Sequence, residues 1–354
     1  MLVNQNSDFL FVFEASMTNP NGDPDQENKP RMDYETKTAL VSDARRKREC
    51  RNFFKQKGWP IFVDTLEEQK VPMDVMFEHF RNQWLDNDAE MARLFSIYPK
   101  LNDLWSYLSS KSKKTTYREI YEDKAIQKEK KIFQHFNNEL TTAIVREQLI
   151  DIRLFGSAMA VEGVSRTFTG PVQISWGYSM HPVELVKSNT ITSIMNDDNS
   201  TFGKKHKLYY GLFMHAGTIN KFSAKLTGMT EDDRELFRKA LVQGMLMNQT
   251  DSKQGQMPLA YLEIVYKPEF DGFLGDMRRF IDVSYEDVGT IRSLRDLQIN
   301  DLPLQEAIGK MKQLGYVDKV IGWYHPLANM QEIFKVQIEE FVDLWAPIVS
   351  TEVQ

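Results

Sequence analysis

The sequence predicts an α+β fold, and three observations carry that prediction. Short runs rich in β-branched and aromatic residues stand between polar turns, as strands do. Amphipathic runs with helical spacing alternate with them. One long charged stretch, residues 60–145, carries helical spacing without strand signatures and interrupts the alternation.

Taken in order, "DFLFVFEA" from Asp8 is bounded by polar residues and reads as a buried strand. A loop rich in Pro, Gly, Asn and Asp follows. Asp33 is then placed to cap a helix running to about Lys57, with Gly58 as its stop. Residues 60–145, with "DVMFEHFRNQWLDNDAEMARLFSIY" and "YREIYEDKAIQKEKKIFQHFNNEL", read as an inserted helical subdomain, and "KSKKTTYR" as an exposed loop within it. Strand chemistry returns after Arg146, in "GPVQISWGYSM" (Gly170 to Met180) and "KLYYGLFMHAGTIN" (Lys207 to Asn220). The link between them, residues 181–206, is too long for a tight hairpin turn. "TEDDRELFRKALVQGML" is an amphipathic helix with acids in its first turn, and "MPLAYLEIVYK" closes as a strand.

With the insertion and the link set aside, the order is βαββαβ, that of a ferredoxin-like or RRM sandwich. The expected organisation is an RRM-like core over residues 1–59 and 146–268, an insertion at 181–206, the helical subdomain at 60–145, and an acidic, helix-rich extension at 269–354 packed on the core.

Composition limits the chemistry. The chain has 354 residues and a net charge of −6, so affinity for a polyanion has to come from local patches. A single cysteine, Cys50, excludes a disulfide framework and a multi-cysteine zinc site. The N-terminal apolar run lacks a basic n-region, and no run of about 18 apolar residues is present to span a bilayer. The expectation is a soluble cytoplasmic protein with no membrane partner.

Three segments concentrate candidate binding residues. The first is the loop "NPNGDPD" with the helix after it. Its spacing fails an EF-hand, because Gly22 falls fourth and Pro24 sixth counting from Asn19, and no Gly-Lys-Ser/Thr follows for a Walker loop. At about 100° per residue, Arg48, Arg51 and Lys55 share one helical face with Arg45 at its edge. This is either a phosphate-contacting stripe or an Asx-type turn followed by a solvated helix. The second is "DIRLFGSAMAVEGVSRTFTGPVQ", where Arg153 and Arg166 flank small residues, with Gly156, Ser157, Gly163 and Gly170 permitting close backbone approach. It reads equally as a phosphate site and as a Gly-rich bulge with surface arginines. The third is "GKKHK", with Lys204, Lys205 and His206 at the end of the link, which read alone is equally a solvated charge run.

Catalytic patterns are poor. The six histidines show no metal-ligand spacing and there is no G-x-S-x-G elbow. Cys50 reads as a quiet thiol. Asp23, Asp25 and Asp151 are available for phosphodiester chemistry, with nothing in the sequence pairing them. The RRM aromatic signature is absent, and Phe9, Phe11 and Phe13 read as core.

Together, "NPNGDPD", "NKPRMD", "LVSDARRKR", "DIRLFGSAM", "GPVQISW", "FGKKH" and "YGLF" resemble the seventh Cas family, the backbone subunit of type I CRISPR Cascade, in its I-B/I-C branch. The likeness covers roughly residues 8–266. It implies a modified RRM core with inserted lobes, likened to a right hand, and many copies polymerising head to tail along one guide RNA (crRNA). It further implies that Asn19, Asn21 and Arg31, with the helix cations Arg45, Arg46, Arg48, Arg51 and Lys55, contact guide-RNA phosphates. Arg153, Phe155, Gly156, Ser157 and Arg166 would lie in an RNA-facing palm. The 181–206 link would be a thumb, with Ile194 and Met195 wedged against a flipped-out nucleotide and Lys204, Lys205 and His206 beside the backbone. The implied partners are crRNA, target DNA through the crRNA, further copies of the chain, and Cascade subunits of the fifth, sixth and eighth Cas families. No cofactor, metal or catalytic residue is implied, since DNA cleavage in type I systems belongs to a recruited helicase-nuclease. Base pairing then supplies specificity, and the protein needs only backbone and shape contacts. Two other readings remain: an RNA endonuclease of the related type III kind using loop aspartates, and a monomeric RRM-type RNA-binding protein.

Overall fold

The apolar run at the N-terminus forms a long strand, β1 (Ser7–Thr18), and its side chains are buried on both faces. The computed structural model describes residues 1–66, 69–161, 164–187, 190–192 and 202–348. Beyond β1, the elements that position the candidate site are α1 (Asp43–Gln56), β2 (Gly156–Val161), β3 (Val164–Thr169), β4 (Leu208–Ile219), α2 (Glu231–Met247), β5 (Gln256–Tyr266) and β6 (Val317–Tyr324). The architecture is mixed α and β.

Among the described residues, nine strands form one sheet in the order Glu340–Phe341, β6, β5, β1, β4, Gly177–Ser179, Thr38–Val41, Met32–Asp33, with Val172–Ile174 also paired to β4. Pairing is antiparallel except between β6 and Glu340–Phe341. The period of two along β1 sends Phe9, Phe11 and Phe13 to one face and Leu10 and Val12 to the other. Phe13 stacks on Phe213 at 5.0 Å and Phe9 meets Phe237 of α2 edge-on at 5.4 Å. Leu10 and Val12 join a second core with Leu262, Ile264, Leu304 and Ile308. Two covered faces explain why this strand is apolar throughout rather than alternating. Cys50, on α1, is fully buried, and burial raises its thiol pKa to about 12.

The chain divides into two compact units. One comprises Met1–Val3, Lys57–Pro171 and Phe222–Asp233; the nine-stranded sheet belongs to the other. The first unit is mainly helical, with Met73–Leu85, Asp88–Ile97, Pro99–Ser109 and Lys130–Gln148 as its longer helices and the β2–β3 hairpin beside them in sequence. Its core is aromatic, with Trp105 5.2 Å from Phe136 and 6.0 Å from Phe95. Buried Asp151 accepts from the backbone N–H of Phe62 at 2.9 Å and of Val63 at 3.1 Å, tying that stretch to the helix that follows Leu149.

The structure differs from the expectation at two places. Asp33 does not cap the helix: it closes a turn by accepting from Glu35 N–H (3.0 Å) and Thr36 Oγ1 (2.8 Å), and the helix begins at Asp43. The intervening "TALV" alternates and buries Ala39 and Val41, so it joins the sheet. Beyond residue 268, one helix of 12 residues (Leu302–Gln313) is accompanied by short 3₁₀ turns and by β6, which extends the sheet.

Candidate nucleic-acid interface

The polar loop after β1 is tied down bond by bond. The Asn19 backbone N–H donates to Ser252 O at 3.0 Å, and its side-chain amide donates to Asn28 O at 2.7 Å. Asn21 Oδ1 accepts from both the N–H (2.8 Å) and the hydroxyl (3.0 Å) of Ser42. Ser42 Oγ in turn accepts from Arg45 N–H at 3.3 Å, the geometry of a helix N-cap. The loop and α1 are therefore one rigid piece, and Asn21 is its fastener. Arg31 pairs with Asp23 at 3.3 Å, and Asp23 also accepts from Asp25 N–H at 3.3 Å.

The helix cations divide by burial. Arg48 and Lys55 are exposed and Arg51 is half-buried. Arg45 is half-buried and paired with Glu49 at 2.8 Å. Arg46 is a correction: at 1% exposure it holds Glu49 at 2.7 Å and lies over the Phe13 ring at 4.8 Å, leaving no surface for a polyanion. Helical angle sets Arg46 about 160° from Arg48, on the face that meets the sheet at Phe13, and only the family likeness places it among the RNA contacts.

A cleft of about 210 Å³ adjoins the loop, lined by Asn19, Asn28, Lys204 through Lys207, Thr250, Asp251 and Ser252. Three stretches far apart in sequence meet there. Lys204 is exposed, 3.7 Å from Glu27; Lys205 pairs with Asp251 at 2.5 Å; His206 Nε2 lies 4.0 Å from Glu27. Lys253 donates to Asn19 O at 2.5 Å. Burial, with Arg45 and Arg46 nearby and Glu49 opposing them, lowers its pKa to about 7. Sequence reading missed Lys253 and the Thr250–Ser252 turn. Their proximity to Asn19 follows from the β1–β5 pairing, which brings Gln256 opposite Ala15, and no local signal encodes it.

Two members of the second predicted constellation, Arg153 and Gly156, are engaged by the protein's own groups. Arg153 forks onto Asp233 at 2.9 and 2.8 Å, and donates to the carbonyls of Val145 (3.4 Å) and Arg146 (3.3 Å). It is a clamp within the helical unit. Gly156, at φ 73°, is required because a Cβ there would sit 2.2 Å from Phe168 O, so the close approach is to the chain's own backbone. Phe155 is buried, and Ser157 is half-buried opposite Phe168. Arg166 pairs with Met159 along β2 and β3. Ile194, Met195 and Gly163 lie outside the described residues. Among the described residues no group of three or more His, Cys, Asp and Glu side chains is arranged to hold a metal ion, and no helix is long and apolar enough to cross a membrane.

Comparison with known proteins gives a consistent family. The profile of the family described as "CRISPR-associated protein Cas7" matches residues 5–301. A protein of that description from Haloferax volcanii is 24% identical over 318 residues, covering 86% of this chain and 83% of the relative. Among solved structures, a chain of a CRISPR RNA-guided surveillance complex in a pre-nicking state is similar at a TM-score of 0.49 and 14% identity, with 96% of each chain covered. A chain of another CRISPR RNA-guided surveillance complex is similar at 0.46 and 12%, again with 96% of each covered.

Proposed function

The chain belongs to the CRISPR-associated Cas7 family, and from that premise we propose that it is a non-catalytic, guide-RNA-binding backbone subunit of a type I surveillance complex, of the I-B/I-C branch. One observation carries the reading: the Asn19–Asn28 loop, Lys204 through Lys207 and the Thr250–Lys253 turn share one cleft, rich in cations, amides and hydroxyls. That inventory suits phosphates and ribose, and it lacks a fork aimed at base edges, as expected where pairing by the guide reads the sequence. The exposed Arg48 and Lys55 extend the positive track along α1. We read the sheet as an elaborated RRM-like core: β5 lies beside β1, β1 beside β4, and β4 beside the Gly177–Ser179 strand, an arrangement that supports the βαββαβ order. Asp23 supports a structural role rather than nuclease chemistry, since its carboxylate is engaged by Arg31 and Asp25.

In this reading copies associate head to tail along crRNA in the cytoplasm, present it to target DNA and meet Cascade subunits of the fifth, sixth and eighth Cas families. The head-to-tail contact is heterologous, so the RNA and end-capping subunits set the length. The test is light scattering of the purified protein with 260/280 absorbance, followed by sequencing of extracted RNA. A large oligomer carrying repeat-derived RNA of defined length is the expected result. A protein that remains RNA-free after co-expression with a guide and the partner subunits would end the proposal.

A further inference from the structure

Trp176 is 45% exposed in the break between Val172–Ile174 and Gly177–Ser179. A lone exposed apolar residue is ordinary; what distinguishes this one is how firmly it is held. Its carbonyl accepts from Arg278 Nη1 at 2.6 Å. Arg278 is itself 6% exposed, forked onto Asp276 at 2.8 and 2.7 Å, bonded to Ser175 Oγ at 3.0 Å, and laid over Tyr178 at 4.2 Å. On one side of Trp176, Ser175 N–H donates to Ala216 O at 2.8 Å. On the other, Gly177 pairs with Val41 and packs so closely on His215 that a Cβ would lie 2.6 Å from the ring. The backbone carrying an exposed indole is thus fixed from both ends.

Above the ring stands the Arg31 guanidinium, 5.6 Å from its centroid. Arg31 is held by its Asp23 pair and by its N–H donating to Asn21 O at 2.9 Å. Val41, opposite Gly177, is one residue before the Ser42 cap of α1. Along residues 172–180 the other apolar side chains are buried or half-buried, so the indole is the large apolar side chain this segment exposes. A protein-docking hot spot is ringed by further packed contacts. An exposed, anchored ring with a guanidinium beside it matches the way single-stranded RNA is held, by stacking unpaired bases on aromatic and Arg planes.

We propose that Trp176, with Arg31, is a stacking platform for one unpaired base of single-stranded RNA, placed beside the phosphate-binding loop. This rests on the guide-RNA reading and adds a base contact to its backbone contacts. Because every base offers a π-face, the contact is indifferent to sequence.

The test uses the full chain with two fluorescein-labelled probes, a mixed uridine–adenosine single-stranded RNA and the same ribose-phosphate chain with abasic positions. Anisotropy titrations compare wild type, Trp176→Ala and Trp176→Phe. Wild type should prefer the base-bearing strand by roughly tenfold, within the range of about five- to 160-fold that one stacked base supplies. Trp176→Ala should lose that preference while binding the abasic chain as wild type does, and Trp176→Phe should keep most of it. The abasic chain also reports folding, since a collapsed variant would fail to bind either probe while Trp176→Phe still tests the ring. Equal preference in wild type and Trp176→Ala would overturn the platform and leave the guide-RNA reading intact. Failure of wild type to bind either probe would strike at that reading itself. If Trp176→Ala kept its RNA preference but lost RNA-free self-association by light scattering, the indole would be a protein contact, and the proposal would fall.

Discussion

The helical unit and the sheet unit differ in how much charge they bury. In the helical unit most ion pairs stay near solvent: Arg93 holds Glu90 and Glu147, Lys100 holds Glu139, and Arg118 holds Asp86, each with at least one well-exposed partner, and Arg153 with Asp233 is the buried exception. Its interior is aromatic and aliphatic. In the sheet unit, Arg46, Glu49, Arg234, Arg238, Glu263 and Arg278 are all buried. Glu263, at 0% exposure, accepts from Arg238 Nε at 2.7 Å and Tyr261 OH at 2.8 Å. Burial alone would raise its pKa, but Arg238 and Arg234 outweigh that and hold it at about 2. The difference teaches that a basic residue is a candidate ligand contact only after burial has been settled. Arg46 and Arg48 are two positions apart on one helix, yet one is core and the other is exposed.

The contrast breaks most visibly at Glu263. Glu263→Gln removes the negative charge between two buried guanidinium groups and should cost about 3–5 kcal/mol of stability in a denaturant titration. A loss under about 1 kcal/mol would mean that the network is no more than a surface pair. Arg153→Met comes next: it ends a bidentate bond in the helical unit and should cost roughly 2–3 kcal/mol, with RNA affinity of the folded fraction unchanged. The reverse pattern belongs to the cleft. Lys204→Ala with Lys205→Ala should leave the melting temperature within a degree or two while lowering affinity for unrelated guides alike, and should reduce the salt slope by about 1.4 for two phosphates on a single strand.

A smaller effect follows from Lys253. Its folded pKa near 7 lies below that of a free lysine amine, about 10.4. In the RNA-free protein this group makes stability rise with pH between those two values, because the unfolded chain binds the extra proton. A nearby phosphate favours the ammonium, so RNA binding above pH 7 takes up a proton and affinity falls as pH rises from 7 to 8.5. Titrations across that range should show the fall in wild type and its loss in Lys253→Met. The smallest effect should be at Arg93→Ala, about 0.2–1 kcal/mol, as for an exposed pair.

How much of this was legible in the sequence follows from how local each cause is. β1, β4, α2 and β5 announce themselves because their burial pattern is written in consecutive residues. The start of α1 was misread because Asp33 has capping chemistry, and only pairing of Thr38–Val41 with Met32–Asp33 and with Gly177–Ser179 makes that stretch a strand. In the candidate site, the loop at Asn19 and the Lys204–Lys205 pair were visible as composition. Lys253 and the anchoring of Trp176 by Arg278 were not, since each depends on segments brought together by the sheet. Arg153 and Gly156 carried a true signal of tight packing, but the object they pack against is the protein itself.

The sealed position of Cys50 has a practical side. With the chain's single sulfhydryl shut inside and its pKa near 12, maleimide chemistry near neutral pH has no native target in the folded protein. A cysteine introduced at an exposed site outside the proposed RNA track, such as Glu306, would then be the sole attachment point for a dye or spin label. Distances between neighbouring copies on one RNA become measurable without first deleting a residue from the core.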